Sequence, residues 1–344
     1  MASYWNDIEA AATLDLPWHL LSGKNILVTG ATGLIGGCLV DVLMSNPHID
    51  YHVYASGRNA KRAGRRFARY AGHAHYHFIR HDVTEALDSQ IDFHYIVFAA
   101  SNASPGFFAK QPVEVIKSNI IGVANSMEYG LSHSMQRLLY VSTGEVYGEG
   151  DGRVFTEDYS GYVNPLTPRS CYPSSKRAAE TLCASYAAEY GADVVIARPC
   201  HTYGPFFTES DNRVYAQFIR NVLHGDDIVL KSTGAQYRSW CYVVDCVTAL
   251  LYILLKGKCG EAYNIADPGS DITIRELAEM TARIGNKKVV FDLPDSEESK
   301  GYNPVKRSIY SADKLSALGW TVDGSMHDKM RKTIEAAIES EDQA

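Results

Sequence analysis

The sequence predicts an α/β protein: a doubly wound parallel sheet with a smaller carboxy-terminal α/β region that binds substrate. Two observations carry this. Apolar runs alternate with helical patterns from residue 25 to about residue 200, as consecutive βαβ units require. At the first strand-to-helix junction stands Gly30-Ala31-Thr32-Gly33-Leu34-Ile35-Gly36. Glycine at each third position lets the backbone turn tightly and approach an anion, while amides at the helix start face it.

In chain order, residues 25–29 read as the first strand and 33–45 as a helix, followed by a strand at 51–55 and a basic helix over 59–70. Residues 75–79, 95–99 and 137–142 read as later strands, with a long helix over 113–132 between the last two. A second long helix over 172–190 feeds a strand at 193–197. Beyond residue 200 the elements shorten and Gly and Pro become more frequent, which places a smaller region over the carboxyl edge of the sheet.

Composition sets the outer limits. With 344 residues, 46% of them hydrophobic and 21% charged, the chain can bury a sizeable core. A formal net charge of −7 argues against nucleic acid or an anionic membrane as partner, so an anionic ligand must be held by locally placed cations. The seven cysteines are scattered and lack a Cys-x-x-Cys pair, which suits neither a disulfide framework nor a zinc site and implies no metal and a reducing, cytoplasmic compartment. Residues 1–22 form an extension without an apolar leader core, and the most apolar stretch, 247–255, is too short to span a bilayer.

The glycine motif alone could be a turn, but its place at the first βα junction favours a dinucleotide site made by Gly30, Thr32, Gly33, Leu34, Ile35 and Gly36. The second strand runs into Ser56-Gly57-Arg58-Asn59, with no carboxylate where one commonly bonds a ribose. Arg58 can pair with a 2′-phosphate, so NAD and NADP are both admissible. Lys61, Arg62, Arg65 and Arg66 are expected as a solvated helix face. Asp82, after the third strand, stands where an adenine contact is expected or where a turn residue would serve. Val83 and the Ala99-Ala100-Ser101 segment after the fourth strand complete the cofactor set.

A second constellation supplies chemistry. Tyr172 and Lys176 are four residues apart and share one helix face. An adjacent ammonium favours the phenolate, so Tyr172 is expected to accept a proton from a sugar hydroxyl. Thr143 ends a strand 29 residues earlier and can share the same oxygen. Glu145, two positions on, falls at the sheet's carboxyl edge and can move a proton at the carbon beside a transient ketone.

These motifs, with Thr156-Glu157-Asp158-Tyr159, Pro168-Arg169-Ser170-Cys171-Tyr172, Ala103-Ser104-Pro105 and Arg238-Ser239-Trp240, resemble an extended short-chain dehydrogenase/reductase of the NAD-dependent nucleotide-sugar epimerase/dehydratase family. Within it the chain is most similar to UDP-glucuronate decarboxylases and dTDP-glucose 4,6-dehydratases. The resemblance implies a Rossmann-type domain over 23–200 with parts of 235–265, and a nucleotide-sugar-binding domain mainly over 201–344. It implies a tightly bound, recycled NAD or NADP, with Thr143, Tyr172 and Lys176 as the hydride-transfer triad and Glu145 acting in a second step. Substrate contacts carried over are Ser104, Arg169, His201, Arg213, Val214, Arg238 and Arg307, for a nucleoside-diphosphate sugar oxidised at carbon 4. A homodimer through helices 113–132 and 172–190 is implied as well. Two positions depart from the pattern. Gly144 replaces the aspartate of the dehydratases and the usual serine of the decarboxylases, and His201 stands where asparagine is usual. The lyase reading competes with a nucleotide-sugar epimerase and, from another class, with a non-catalytic nucleotide-binding scaffold.

Overall fold

The computed structural model describes residues 2–292 and 306–341. Helix α1 (Ala2–Ala12) precedes β1 (Asn25–Thr29), α2 (Leu34–Met44), β2 (His52–Gly57), α3 (Ala60–Arg66), β3 (Tyr76–Arg80) and β4 (Tyr95–Phe98). Next come α4 (Pro105–Lys110), α5 (Pro112–Ser132), β5 (Arg137–Val141), α6 (Cys171–Tyr190) and β6 (Val194–Pro199). The remainder is β7 (His201–Tyr203), α7 (Val214–His224), β8 (Ile228–Leu230), β9 (Tyr237–Tyr242), α8 (Val243–Lys256), β10 (Ala262–Ile265), β11 (Asp271–Thr273), α9 (Ile274–Ile284), β12 (Val289–Phe291), β13 (Arg307–Ser308), α10 (Asp313–Ser316) and α11 (Met326–Glu341).

Seven strands pair in parallel in the order β10-β6-β5-β4-β1-β2-β3. Strand direction of growth reverses between β1 and β4, and such switch points open a crevice at the carboxyl ends. The central strands carry unbroken apolar runs between their ends, as in Ile26-Leu27-Val28 and Leu138-Leu139-Tyr140-Val141, because both faces are covered. Ile26 and Val28 of β1 enter the core that includes α2 and α8, whereas Leu27 enters the one beneath α5 and α6. Strands β4, β5 and β6 alternate likewise, with Val97, Leu139 and Val195 on the first face and Phe98, Tyr140 and Ile196 on the second. A smaller sheet centres on β9, which pairs with β7, β11 and β13, while β8 pairs with β12.

The basic segment differs from the expected single helix. It breaks at Phe67 (φ −113°, ψ 23°) into α3 and a short 3-10 turn at Ala68–Tyr70, because that break buries both Phe67 and Tyr70. Nor is it uniformly solvated. Lys61 and Arg65 are exposed, but Arg66 turns inward to bind both carboxylate oxygens of Asp41 on α2, and Arg62 lies against the crevice.

Asp41 also fixes the amino-terminal extension. It is 0% exposed and accepts the hydroxyls of Tyr4 at 2.8 Å and Tyr70 at 3.1 Å. Tyr4, Ile8, Ala11 and Ala12 bury one face of α1 in the main core, and Lys332 of α11 reaches Asp7 at 2.6 Å. Tyr4 also meets Phe206 edge-on, with ring centroids 5.1 Å apart. The extension is thus part of the core, tying α2 to the loop after β7. Among the described residues no helix is long and apolar enough to cross a membrane.

Removing one member of a buried hydrogen-bonded ion pair strands its partner, at a cost of about 3–5 kcal/mol. Asp41→Ala is therefore expected to lower unfolding stability by about that amount, and Tyr4→Phe by about 1 kcal/mol. Urea titrations followed by circular dichroism check both, and equal midpoints for Asp41→Ala and the parent chain would contradict a stabilising role for the Asp41 cluster.

Candidate active site

At the switch point, Gly30 adopts φ +66°, and a Cβ there would come within 2.6 Å of the Ala99 carbonyl oxygen and 2.7 Å of Ala100 Cα. A Cβ at Gly36 would lie 2.5 Å from the Gly30 carbonyl oxygen. The glycines therefore let the first turn pass between β4 and the start of α2, whose N-cap is Gly33. Thr29 locks the arrangement: its Oγ1 accepts the amides of Ala99 at 3.2 Å and Ala100 at 3.3 Å.

The crevice, of about 350 Å³, is lined by the glycine motif, by Arg58 and Asp82, and by Ala99, Ala100 and Ser101. Thr32, Leu34, Ile35 and Val83 line it too. Asp82 accepts from the backbone and side chain of Thr84 at 3.0 and 2.9 Å and lies 3.7 Å from Arg58, and these contacts hold its carboxyl below the usual range. Two hydroxyls of the lining, Ser56 Oγ and Ser101 Oγ, are buried without a partner among the described residues. Buried hydroxyls in a native site ordinarily find one, and both stand among residues that a dinucleotide's ribose and phosphates can bond. Together with the Cβ-free cradle, they make these residues fit a nicotinamide dinucleotide. Ser56, Arg62, Thr84, Thr208 and Ser210 escaped the sequence reading. Only Arg62 carried a signal, as one of several cations beside Arg58.

The second constellation assembles at the ends of β5 and α6. Thr143 is extended (φ −163°) and accepts the Glu145 amide at 3.2 Å, starting a 3-10 turn at Gly144–Tyr147. Both oxygens of Glu145 are held by Nη2 of Arg169, at 2.9 and 3.0 Å, and the Arg169 guanidinium lies 4.7 Å from the Phe108 ring centroid. Arg169, expected at the substrate, is thus directed at Glu145. Tyr172 stacks on the same ring: its centroid is 4.7 Å from that of Phe108.

The expected phenolate does not follow from this packing. Burial, then the charge of Glu145, pushes the Tyr172 phenol up to about 12, while its bond to Thr143 and the charges of Arg213 and Arg169 pull the other way. Lys176 is 2% exposed and donates from Nζ to the Val141 carbonyl at 2.7 Å, standing 5.9 Å from the Tyr172 ring centroid. Burial brings its ammonium down to about 7, against the opposing pull of Glu180. Desolvation, which a sequence cannot display, outweighs the four-residue spacing here.

The remaining expected substrate residues divide into two groups. Arg213, the N-cap of α7, binds Asp211 through two nitrogens and donates to Tyr215 Oη at 3.0 Å, and both Arg213 and Asp211 line the crevice. Val214 follows it as the first residue of α7. Ser104 donates to Asn212 Oδ1 at 2.5 Å, joining the loop after β4 to the loop before α7. His201 is half-buried against Trp240, its Nδ1 has no partner among the described residues, and desolvation beside Arg238 and Arg213 lowers it to about 3, so it stays neutral. Arg238 is 4% exposed, and burial lowers it while Tyr310 and Glu145 oppose. Arg307 is not gathered with these. The register sets Ser308 opposite Arg238 and Arg307 opposite Tyr237, so Arg307 lies exposed over the Tyr237 ring.

Known proteins are similar to this chain in sequence and in fold. The chain is 38% identical over 305 residues to UDP-glucuronic acid decarboxylase 6 of Arabidopsis thaliana, covering 87% of this chain and 84% of the relative. It is 33% identical over 318 residues to UDP-glucuronic acid decarboxylase 1 of Danio rerio, covering 91% and 72%. The structure of UDP-glucose 4-epimerase from Thermotoga maritima, solved with UDP-glucose, superposes with a TM-score of 0.80 at 26% identity, over 92% of this chain and 99% of that one. The profile of the NAD dependent epimerase/dehydratase family matches residues 26–266. With its glycine cradle, its seven-stranded parallel sheet and a Tyr and Lys one helical turn apart, this chain belongs to the NAD-dependent epimerase/dehydratase family of enzymes.

Proposed function

We propose that the chain is a nucleotide-sugar lyase that decarboxylates UDP-glucuronate, with 4,6-dehydration of a nucleoside-diphosphate hexose as the second reading. The observation that carries it is the meeting of Thr143, Glu145 and Tyr172 at the carboxyl edge of the sheet whose switch point forms the dinucleotide crevice. The 38% identity to a UDP-glucuronic acid decarboxylase favours decarboxylation. So does Gly144, because loss of hydroxide from carbon 6 calls for an acid beside Glu145, whereas a carboxylate beside a ketone needs none.

A nicotinamide dinucleotide, once bound, supplies the hydride acceptor and returns the hydride, and we infer that it stays bound through turnover as NAD or NADP. The positive ring of a bound nicotinamide would favour the phenolate that the packing alone does not, and as that phenolate Tyr172 would take the proton from the sugar's 4-hydroxyl, with Thr143 bonded to the same oxygen. Lys176, tied to the Val141 carbonyl, sets the potential around that phenol. Glu145, oriented by Arg169, serves the carbon next to the ketone. Arg213 and Arg238 bind the diphosphate, since a closed site makes an unpaired diphosphate costly, and Ser104 and His201 line the sugar's path. Residues 23–200 with parts of 235–265 form the dinucleotide-binding unit, and residues 201–344 mainly the nucleotide-sugar unit. Cysteine use favours the cytoplasm. Val113, Ile116, Ile121 and Leu131 leave an apolar stripe exposed along α5, next to α6, which supports a homodimer through these two helices.

Incubation with UDP-, dTDP-, GDP- and CDP-sugars, read by mass spectrometry, is expected to show carbon dioxide loss from UDP-glucuronate; inertness toward every sugar nucleotide would overturn the function. Tyr172→Phe is expected to abolish turnover with dinucleotide affinity retained. Glu145→Gln is expected to accumulate keto-sugar with reduced nicotinamide absorbance, and normal product from it would remove Glu145 from the second step. Ile121→Asp should convert the dimer to monomer in sedimentation experiments.

A further inference from the structure

Position 144 lies between Thr143 and Glu145, and nothing in its backbone calls for glycine: it sits in a 3-10 turn and has no positive φ. What excludes a side chain there is Tyr310. A Cβ built on Gly144 would stand 2.5 Å from Tyr310 Cζ, 2.6 Å from Cε1 and 2.6 Å from Oη, and these are its three nearest atoms. The phenol thus fills the volume that any residue at 144 would use.

Tyr310 reaches this place from the far end of the sequence and is held there on several sides. Its amide donates to Ser239 Oγ at 3.1 Å. The flanking backbone bonds Phe155 in both directions, Phe155 N to the Ile309 carbonyl at 2.7 Å and Ser311 N to the Phe155 carbonyl at 2.9 Å. The ring packs 5.4 Å from Phe155 and 5.8 Å from Tyr147, centroid to centroid, and is 7% exposed. Burial, the largest influence, keeps the proton on the hydroxyl oxygen, with the charge of Glu145 acting the same way, while a hydrogen bond with the Ser308 side chain and the charge of Arg238 oppose. A neutral O–H is therefore fixed next to Thr143 and Glu145, where the turn itself supplies no side chain.

We propose that Tyr310 is a specificity residue of this site: its hydroxyl takes the place of the side chain missing at 144 and donates a hydrogen bond to the carboxylate on carbon 6 of the sugar. The inference rests on the lyase reading above and deepens it by assigning the group that recognises a uronic acid. A neutral donor suits a carboxylate better than an acidic side chain would, because no second negative charge is brought beside Glu145.

Titration calorimetry with UDP, UDP-glucose and UDP-glucuronate tests this on the full chain. Tyr310→Phe keeps the ring that packs against Phe155 and removes only the donor. Loss of one hydrogen bond to a charged group predicts UDP-glucuronate affinity weakened about tenfold to hundredfold, UDP affinity unchanged, and UDP-glucose affected less. Equal UDP-glucuronate affinity in Tyr310→Phe and the parent chain would overturn the proposal while leaving the lyase reading intact. A parent chain that releases no carbon dioxide from UDP-glucuronate would instead sink the lyase reading. Should Tyr310→Phe also lose UDP binding, the double variant Gly144→Ser/Tyr310→Ala decides. Recovery of UDP-glucuronate affinity well above that of Tyr310→Ala supports the role, since a hydroxyl is restored at 144, and no recovery overturns it.

Discussion

No side chain fits at position 30, and most of the candidate active site follows from that. The turn after β1 passes so close to the end of β4 that a single methyl would collide with the Ala99 carbonyl, and Thr29 holds the contact by accepting the amides of Ala99 and Ala100. Because β1 and β4 are the strands flanking the reversal of strand order, the crevice opens at that point and the amino-terminal end of α2 faces it. The glycine cradle and the loop bearing Ser101 and Ser104 are both positioned relative to this one close approach.

The residues proposed to react are organised by charge and burial more than by proximity in sequence. Arg169 neutralises and aims Glu145, while Phe108 supports both Arg169 and Tyr172 from one apolar face. Burial raises Tyr172 and lowers Lys176, so desolvation drives the two titrating groups apart, each toward its neutral form. Such perturbation by desolvation plus a named charged partner is characteristic of functional sites. His201 fits the same logic. Kept neutral between Arg213 and Arg238, it adds no charge at a position where the family usually has a neutral amide.

Distant parts of the chain close the site. The extension at residues 2–12 inserts Tyr4 into the Asp41 cluster and props Phe206, which begins the loop leading to Asp211 and Arg213. From the other end, Tyr310 occupies the space above Gly144. Both contacts join segments separated by well over a hundred residues.

By itself, the sequence determined the order of strands β1 to β6 with helices α2, α3, α5 and α6 between them, though not α1 or α4, together with the glycine cradle and the candidacy of Thr143, Glu145, Tyr172 and Lys176. Each of these is a local pattern: apolar period, glycine spacing, or a four-residue helical repeat. Tertiary structure alone decided that Arg66 is buried against Asp41 and not solvated, that Arg169 serves Glu145, that Arg307 points away from Arg238, and that Gly144 is a glycine because of Tyr310. The division has one cause. Periodicity and backbone geometry are properties of neighbouring residues, whereas desolvation, ion pairing and excluded volume depend on which remote side chains the fold brings within a few ångströms.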